Sequence, residues 1–126
     1  MIKIFMALMI INTSIEKGLD KVHSSQEVVS AHTGKASWYG SSWDGRLTSN
    51  GEVFNHKKMT CASNQLKMGT KVRVTNLANN KSVVCRVNDT GGFAKYGRIL
   101  DMSLGSFRVI ASESTGVIRV KVEVIK

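Results

Sequence analysis

Beyond Gly34 the chain alternates apolar and polar positions in short segments broken by turn residues, the pattern of half-buried β-strands. Val117 to Ile125 is the clearest of these. Ile118, Val120, Val122 and Val124 fall on one face and are expected in the core, with Arg119, Lys121 and Glu123 outward. Lys71-Val72-Arg73-Val74-Thr75 repeats the pattern with Val72 and Val74 inward. Ser82-Val83-Val84-Cys85-Arg86-Val87 reads as a more buried strand, joined to its predecessor by a turn at Asn79-Asn80. One segment departs from a period of two: Leu104, Phe107 and Ile110 stand at helical spacing with Ser103 placed to cap them, which predicts a short helix. Strands at regular intervals with one or two short helices predict a mainly β fold, a small barrel. Gly69-Thr-Lys-Val-Arg-Val and Gly116-Val-Ile-Arg-Val-Lys-Val are weakly alike, a hint of two similar halves.

Before Gly34 the pattern is different. Lys3 followed by the apolar stretch Ile4 to Ile11 has the form of a secretory signal, so residues 1–14 are expected to be a signal peptide and residues 15–33 a polar linker. The folded domain is expected over 34–126. With no Cys just after the apolar stretch, the lipid anchor of bacterial lipoproteins is not expected. No apolar run reaches the ~18 residues that span a bilayer. His23 and His32 lie on the polar segment and read as solvated side chains rather than metal ligands.

Length and charge narrow the picture. The 126 residues have room for one modest core, which excludes a cofactor domain paired with a separate substrate domain. The 18 Lys+Arg exceed the 9 Asp+Glu, and the whole net charge of +9 lies from Gly34 onward. Such a surface concentrates polyanions, whether nucleic acid, anionic lipid or an anionic wall polymer. No nucleic-acid motif accompanies the charge, so nucleic acid is not an expected partner. Two Cys are too few for a four-Cys zinc site, and no metal is expected. Cys61 and Cys85, 24 positions apart and each in or beside a strand, are expected to form a disulfide in an exported chain, the alternative being two buried thiols in a reducing cytoplasm.

Three clusters carry candidate chemistry: Ala36-Ser37-Trp38-Tyr39-Gly40; Thr48-Ser49-Asn50-Gly51-Glu52-Val53-Phe54; and Val87-Asn88-Asp89-Thr90-Gly91-Gly92-Phe93 with Gly97-Arg98-Ile99-Leu100-Asp101-Met102-Ser103. With Thr60-Cys61-Ala62-Ser63 and Gly69 to Asn76 between them, they fall in the order of the rare lipoprotein A (RlpA) family pattern. That pattern runs A-S-W-Y-G, T-A-N-G-E-x-F, T-A-A-H, G-T-x-V-x-V-T-N, N-D-R-G-P-F and R-I-I-D-L-S, and this sequence resembles it from Gly34 to about Ile125. The resemblance implies a six-stranded double-psi β-barrel acting without cofactor, as a monomer, as a lytic transglycosylase on peptidoglycan glycan strands. It places the family Glu on Glu52 and the family Asp on Asp89. The family His, eleven positions after the Glu, falls on Ser63, and the Arg and Pro of N-D-R-G-P-F fall on Thr90 and Gly92.

A lytic transglycosylase closes the muramic C6 hydroxyl onto C1 instead of admitting water, so one group can serve as acid and then as base. Such an acid needs a carboxyl partly removed from water or beside another carboxylate. Asp89, after a buried strand and before the Thr90-Gly91-Gly92 loop, is the candidate, with Glu52 assisting; the alternative is a carboxylate that only braces the loop or binds sugar. Asp101, in an I-D-L-S-like context shared with related barrels such as expansins, is expected at the groove, or else as a structural aspartate beside a helix start. Glu52 has its own alternative as a turn residue after Asn50-Gly51. Ser63 and Asn88 are further candidates for sugar contact. Trp38 and Tyr39 should point to opposite faces, and Tyr39 is assigned to the groove with Trp38 inside, the alternative being that both belong to the core. Phe54, Phe93 and Phe107 are assigned to the core. Because Ser63 cannot carry a proton near neutral pH as His can, a non-catalytic, expansin-like wall-binding module is the second reading.

Overall fold

The alternating segments do close around a single core. The computed structural model describes residues 27–91 and 97–126. Strands β1 (Val28–Tyr39), β2 (Thr60–Ala62), β3 (Lys71–Asn76), β4 (Ser82–Asp89), β5 (Arg98–Ser103) and β6 (Ile118–Ile125) form a closed barrel in the order β1-β5-β2-β4-β3-β6. Val72, Val74, Ile118, Val120 and Val122 are buried as their period requires, while Val124 is only partly covered and Ile125 takes a buried place at the strand end. In β4, read from sequence as a more buried strand, burial is confined to its second half: Cys85 and Val87 enter the core, and Val84 stands exposed.

The pairing has an internal symmetry. β1–β5 and β2–β4 are parallel, and the other four pairs are antiparallel. Exchanging β1 with β4, β2 with β5 and β3 with β6 maps the strand order, and the sense of every pairing, onto itself. The two weakly similar Gly-led segments supply β3 and β6, which this exchange relates and which lie side by side.

The expected helix is α1 (Leu104–Ile110), with Ser103 Oγ accepting from the Ser106 amide at 3.3 Å. Leu104, Phe107 and Ile110 are buried, and covering Phe107 completely contributes roughly 2–3 kcal/mol. Gly105 is where this helix meets the 44–58 segment: its amide donates to the His56 carbonyl at 2.7 Å, and a Cβ there would stand 2.8 Å from the carbonyl oxygens of His56 and Lys57. The absent side chain lets the helix start pin the segment that walls the site.

One boundary differs from expectation. Residues 28–33 are not linker but the first half of β1, paired with β6 from Val28↔Ile125 to Ala36↔Ile118. Both faces of this half are exposed, so no apolar period marks it, and backbone pairing to β6 holds it. His32 lies exposed on this strand; the signal peptide and His23 fall outside the described residues. Among the described residues no helix is long and apolar enough to cross a membrane.

Candidate active site

Two carboxylates meet at the end of β4, Asp89 from the strand itself and Glu52 from the loop that folds over it. Cys85 and Val87 face the core, Arg86 and Asn88 turn to Glu52, and a register shift precedes Asp89 in its pairing with Ala62. Over the strand end folds the 44–56 loop, closed by a Leu47↔Val53 bridge and a turn in which Thr48 N donates to Glu52 O at 2.8 Å. Gly51, with φ of 90°, makes that reversal possible. Adjacent residues of the turn dock to the two carboxylates. Ser49 reaches Asp89, and Asn50 reaches Glu52.

Asp89 opens onto a furrow of about 490 Å³ walled by Tyr39, Trp43, Arg46, Leu47, Thr48, Phe54 and Thr90. Its Oδ1 accepts from Ser49 N at 3.0 Å, Ser49 Oγ at 2.8 Å and Thr90 N at 2.9 Å. Among the described residues its Oδ2 accepts none. The furrow wall is aromatic. Tyr39 stacks on buried Phe54 with centroids 4.5 Å apart and meets Trp43 edge-on at 6.3 Å, while the Arg46 guanidinium lies 5.2 Å over the Trp43 ring. Burial first, then the charges of Asp89 and Asp101, push the Tyr39 hydroxyl well above its ordinary pKa, so it stays a neutral donor. That hydroxyl is buried and has no hydrogen-bond partner among the described residues.

Glu52 lines a different cavity of about 350 Å³ with Val53, Asn55, Lys58, Thr60, Arg86 and Asn88. Both of its oxygens are engaged: Oε1 accepts from Arg86 Nη2 at 2.9 Å and Asn88 Nδ2 at 3.1 Å, Oε2 from Arg86 Nη1 at 2.6 Å and Asn50 Nδ2 at 3.0 Å. The Arg86 hydrogen bonds first, then those of Asn88 and Asn50, bring its pKa down to about 2. A carboxylate held in this way is an anion near neutral pH and donates no proton.

Several expected site residues are placed elsewhere. Glu52 does not share the Asp89 furrow. Asn88 is 2% exposed and braces Glu52 rather than facing the furrow. Ser63, also 2% exposed, turns its hydroxyl back on its own loop, accepting from Gln65 N at 3.2 Å and Leu66 N at 3.1 Å, while its amide donates to the Asp89 carbonyl at 2.9 Å. It supports the Asp89 backbone and offers no side chain to the furrow. Asp101 accepts from Ser37 Oγ at 2.8 Å, and Ser37 in turn accepts from Arg98 Nη1 at 2.9 Å, so its carboxylate is taken up behind the wall. Ala62 of β2 pairs with Asp101 on one side and Asp89 on the other. Burial raises the Asp101 pKa, Ser37 and Arg98 oppose the shift, and the Asp89 charge adds to it. Asp101 is thus the more sheltered carboxyl, and Asp89 the one that reaches the furrow.

Tyr39 lines the furrow, while Trp38 packs against the core and donates Nε1 to the Glu113 carbonyl at 3.0 Å. Gly92 and Phe93 lie outside the described residues. His56 sits with Asp44, Nδ1 2.7 Å from Oδ2, in a separate groove, and does not stand in for the family His. Cys61 and Cys85 are buried thiols whose sulfurs lie 2.7 Å apart between β2 and β4. Burial and then the Cys85 thiol push Cys61 well above the ordinary thiol range. Among the described residues, no cluster of His, Cys, Asp and Glu could hold a metal ion. Sequence reading missed Trp43, Arg46 and Ser49. Trp43 and Arg46 leave one signal, an unassigned Trp three residues before an Arg in a Gly-bounded loop.

Known proteins share the sequence pattern and the fold. A family model described as lytic transglycolase matches residues 31–122. The probable endolytic peptidoglycan transglycosylase RlpA of Synechocystis sp. is 47% identical over 93 residues, covering 74% of this chain and 29% of that protein. The endolytic peptidoglycan transglycosylase RlpA of Vibrio cholerae is 46% identical over 74% of this chain and 35% of that protein; that of Rickettsia felis is 41% identical over 89% and 49%. The chain therefore spans between a third and a half of the latter two proteins, and less than a third of the first. Among solved structures, a Streptomyces papain inhibitor matches with a TM-score of 0.62 at 19% identity, over 76% of this chain and 94% of that one. A Clavibacter michiganensis expansin mutant in complex with cellohexaose matches with a TM-score of 0.62 at 18% identity, over 77% and 51%; both are likenesses of fold. With its motifs in order, its six strands closed and the match running from the first strand into the last, the chain belongs to the lytic transglycolase family of double-psi β-barrels.

Proposed function

We propose that this domain is an endolytic peptidoglycan lytic transglycosylase of the cell envelope. It cleaves the bond between N-acetylmuramic acid and N-acetylglucosamine and leaves a 1,6-anhydro end. The observation that carries this reading is Asp89, whose carboxylate lines an aromatic-walled furrow with all its hydrogen bonds among the described residues on one oxygen. Asp89 gives its proton to the glycosidic oxygen as the bond to C1 breaks. The carboxylate left behind takes the proton of the C6 hydroxyl as that oxygen closes onto C1. The proton returns to Asp89, no water is consumed, and the cycle is balanced without a cofactor. Trp43 and Tyr39 offer flat faces to sugar rings, and the net charge of +9 holds an anionic wall polymer near the barrel. Relatives named as peptidoglycan transglycosylases support the substrate class.

The apolar stretch Ile4 to Ile11 is read as an export signal, and the domain as acting as a monomer. In the oxidising envelope Cys61 and Cys85 lose two protons and two electrons to a thiol oxidant and form a disulfide worth about 3 kcal/mol. Mass measurement with and without reduction before alkylation tests it, and two alkylated cysteines in unreduced, exported protein would exclude it.

A second reading, a glycan-binding module without turnover, draws on one observation. Among the described residues Asp89 is the single carboxylate of the furrow, and no His lines it. Incubation with purified sacculi and mass spectrometry of the products separates the two readings. Anhydro-ended muropeptides are expected from the wild-type chain; sacculus binding with none released would establish the binding module.

A further inference from the structure

The three hydrogen bonds to Asp89 all fall on one oxygen. A carboxylate oxygen has two lone pairs, and Oδ1 already meets Ser49 N, Ser49 Oγ and Thr90 N at 3.0, 2.8 and 2.9 Å. A sugar hydroxyl or a proton arriving there would have to displace one of these donors. Ser49 is itself held. Its hydroxyl has one hydrogen, which goes to the carboxylate, so in the 2.8 Å contact between Ser49 Oγ and Thr90 Oγ1 the Thr90 hydroxyl is the donor. The chain of polarity therefore runs from Thr90 to Ser49 to Asp89, each bond strengthening the next.

We infer that Ser49 is a positioning residue of the reaction, fixing Oδ1 of Asp89 so that Oδ2 is the oxygen that delivers and reclaims the proton. This rests on the reading of Asp89 as acid and base. In the acid form the proton sits on Oδ2, because Oδ1 is occupied by donors. The rotation of the carboxyl about its last bond is set by Ser49, which aims Oδ2 into the furrow.

The test is steady-state kinetics on soluble glycan strands released from sacculi, with anhydro ends counted by mass spectrometry. Ser49→Ala is expected to lower kcat about tenfold with KM within about twofold, since misaiming an acid harms the reacting geometry and not the binding. Ser49→Thr, which keeps both the amide and a hydroxyl, is expected to recover most of that loss. Thr90→Val, which removes the hydroxyl that orients Ser49 and leaves the Asp89 side chain alone, is expected to give a smaller fall of the same kind. A purely structural Ser49 would change the melting temperature and not the kcat of folded protein. Wild-type kcat in Ser49→Ala, or Ser49→Thr as slow as Ser49→Ala, overturns the inference. Asp89→Asn is run alongside: if it alone retains full turnover, the reading of Asp89 fails first and takes this inference with it. An inactive Asp89→Asn beside a fully active Ser49→Ala removes only the role of Ser49.

Discussion

Glu52 and Asp89 meet at the same strand end, under the same turn, and differ in how their oxygens are used. Glu52 has four donors shared over two oxygens, two of them from one guanidinium, and its pKa falls to about 2. Asp89 lines the furrow and has three donors crowded on one oxygen, with none on the other among the described residues. A carboxylate satisfied on both sides ties a loop to a strand. One satisfied on a single oxygen is oriented by its loop and lines the furrow. The family pattern marks both residues alike, and the hydrogen-bond arrangement separates their work.

Substitutions sharpen or break this contrast to different degrees. Asp89→Asn should have the largest effect, a fall in turnover of about a thousandfold or more with the fold retained, read as anhydro ends per mole of folded protein. Near-normal turnover would erase the distinction between the two carboxylates. Glu52→Gln should act mainly through the loop: turnover falls by about tenfold or less, and the melting temperature falls by several degrees at pH 7. Because the folded pKa of Glu52 lies below its ordinary value of 4.5, its stabilisation is present above that value and is lost as the pH falls toward about 2. The gap in melting temperature between wild type and variant should therefore narrow below pH 4.5. A constant gap would mean that Glu52 is not held as an anion by Arg86. Trp43→Ala removes a ring from the furrow wall and should raise KM about fivefold at unchanged kcat. The smallest effect is expected of Ser63→Ala, about 1 kcal/mol of stability from two amides losing their acceptor, with turnover unchanged. A loss of turnover there would return Ser63 to the site.

Much of the barrel was legible because burial on one face writes a period of two into β3 and β6, and a capped helical spacing into Leu104 to Ile110. The start of β1 was not legible, since a segment exposed on both faces has no apolar period to read. Asp89 could be placed on a groove from its strand-end position and the ordered motifs. The separation of Glu52 from it could not, because that depends on which side of β4 receives the loop, and the Arg86 partner lies 34 positions away. Ser63 was misjudged for a related reason: sequence shows a hydroxyl near the site but not that two amides of its own loop have claimed it. Trp43 and Ser49 belong to a loop with no periodicity, where only the folded contacts reveal a role.

The exchange relation among the strands has a consequence for the ligand. β1 and β4 are counterparts, yet β1 ends at Tyr39 and β4 at Asp89. A repeated strand arrangement has thus brought two unlike groups, an aromatic ring and a carboxylate, from corresponding strand ends to one furrow. A polysaccharide has a reducing and a non-reducing direction, and a furrow lined by two unlike groups can tell them apart where a perfectly repeated one could not.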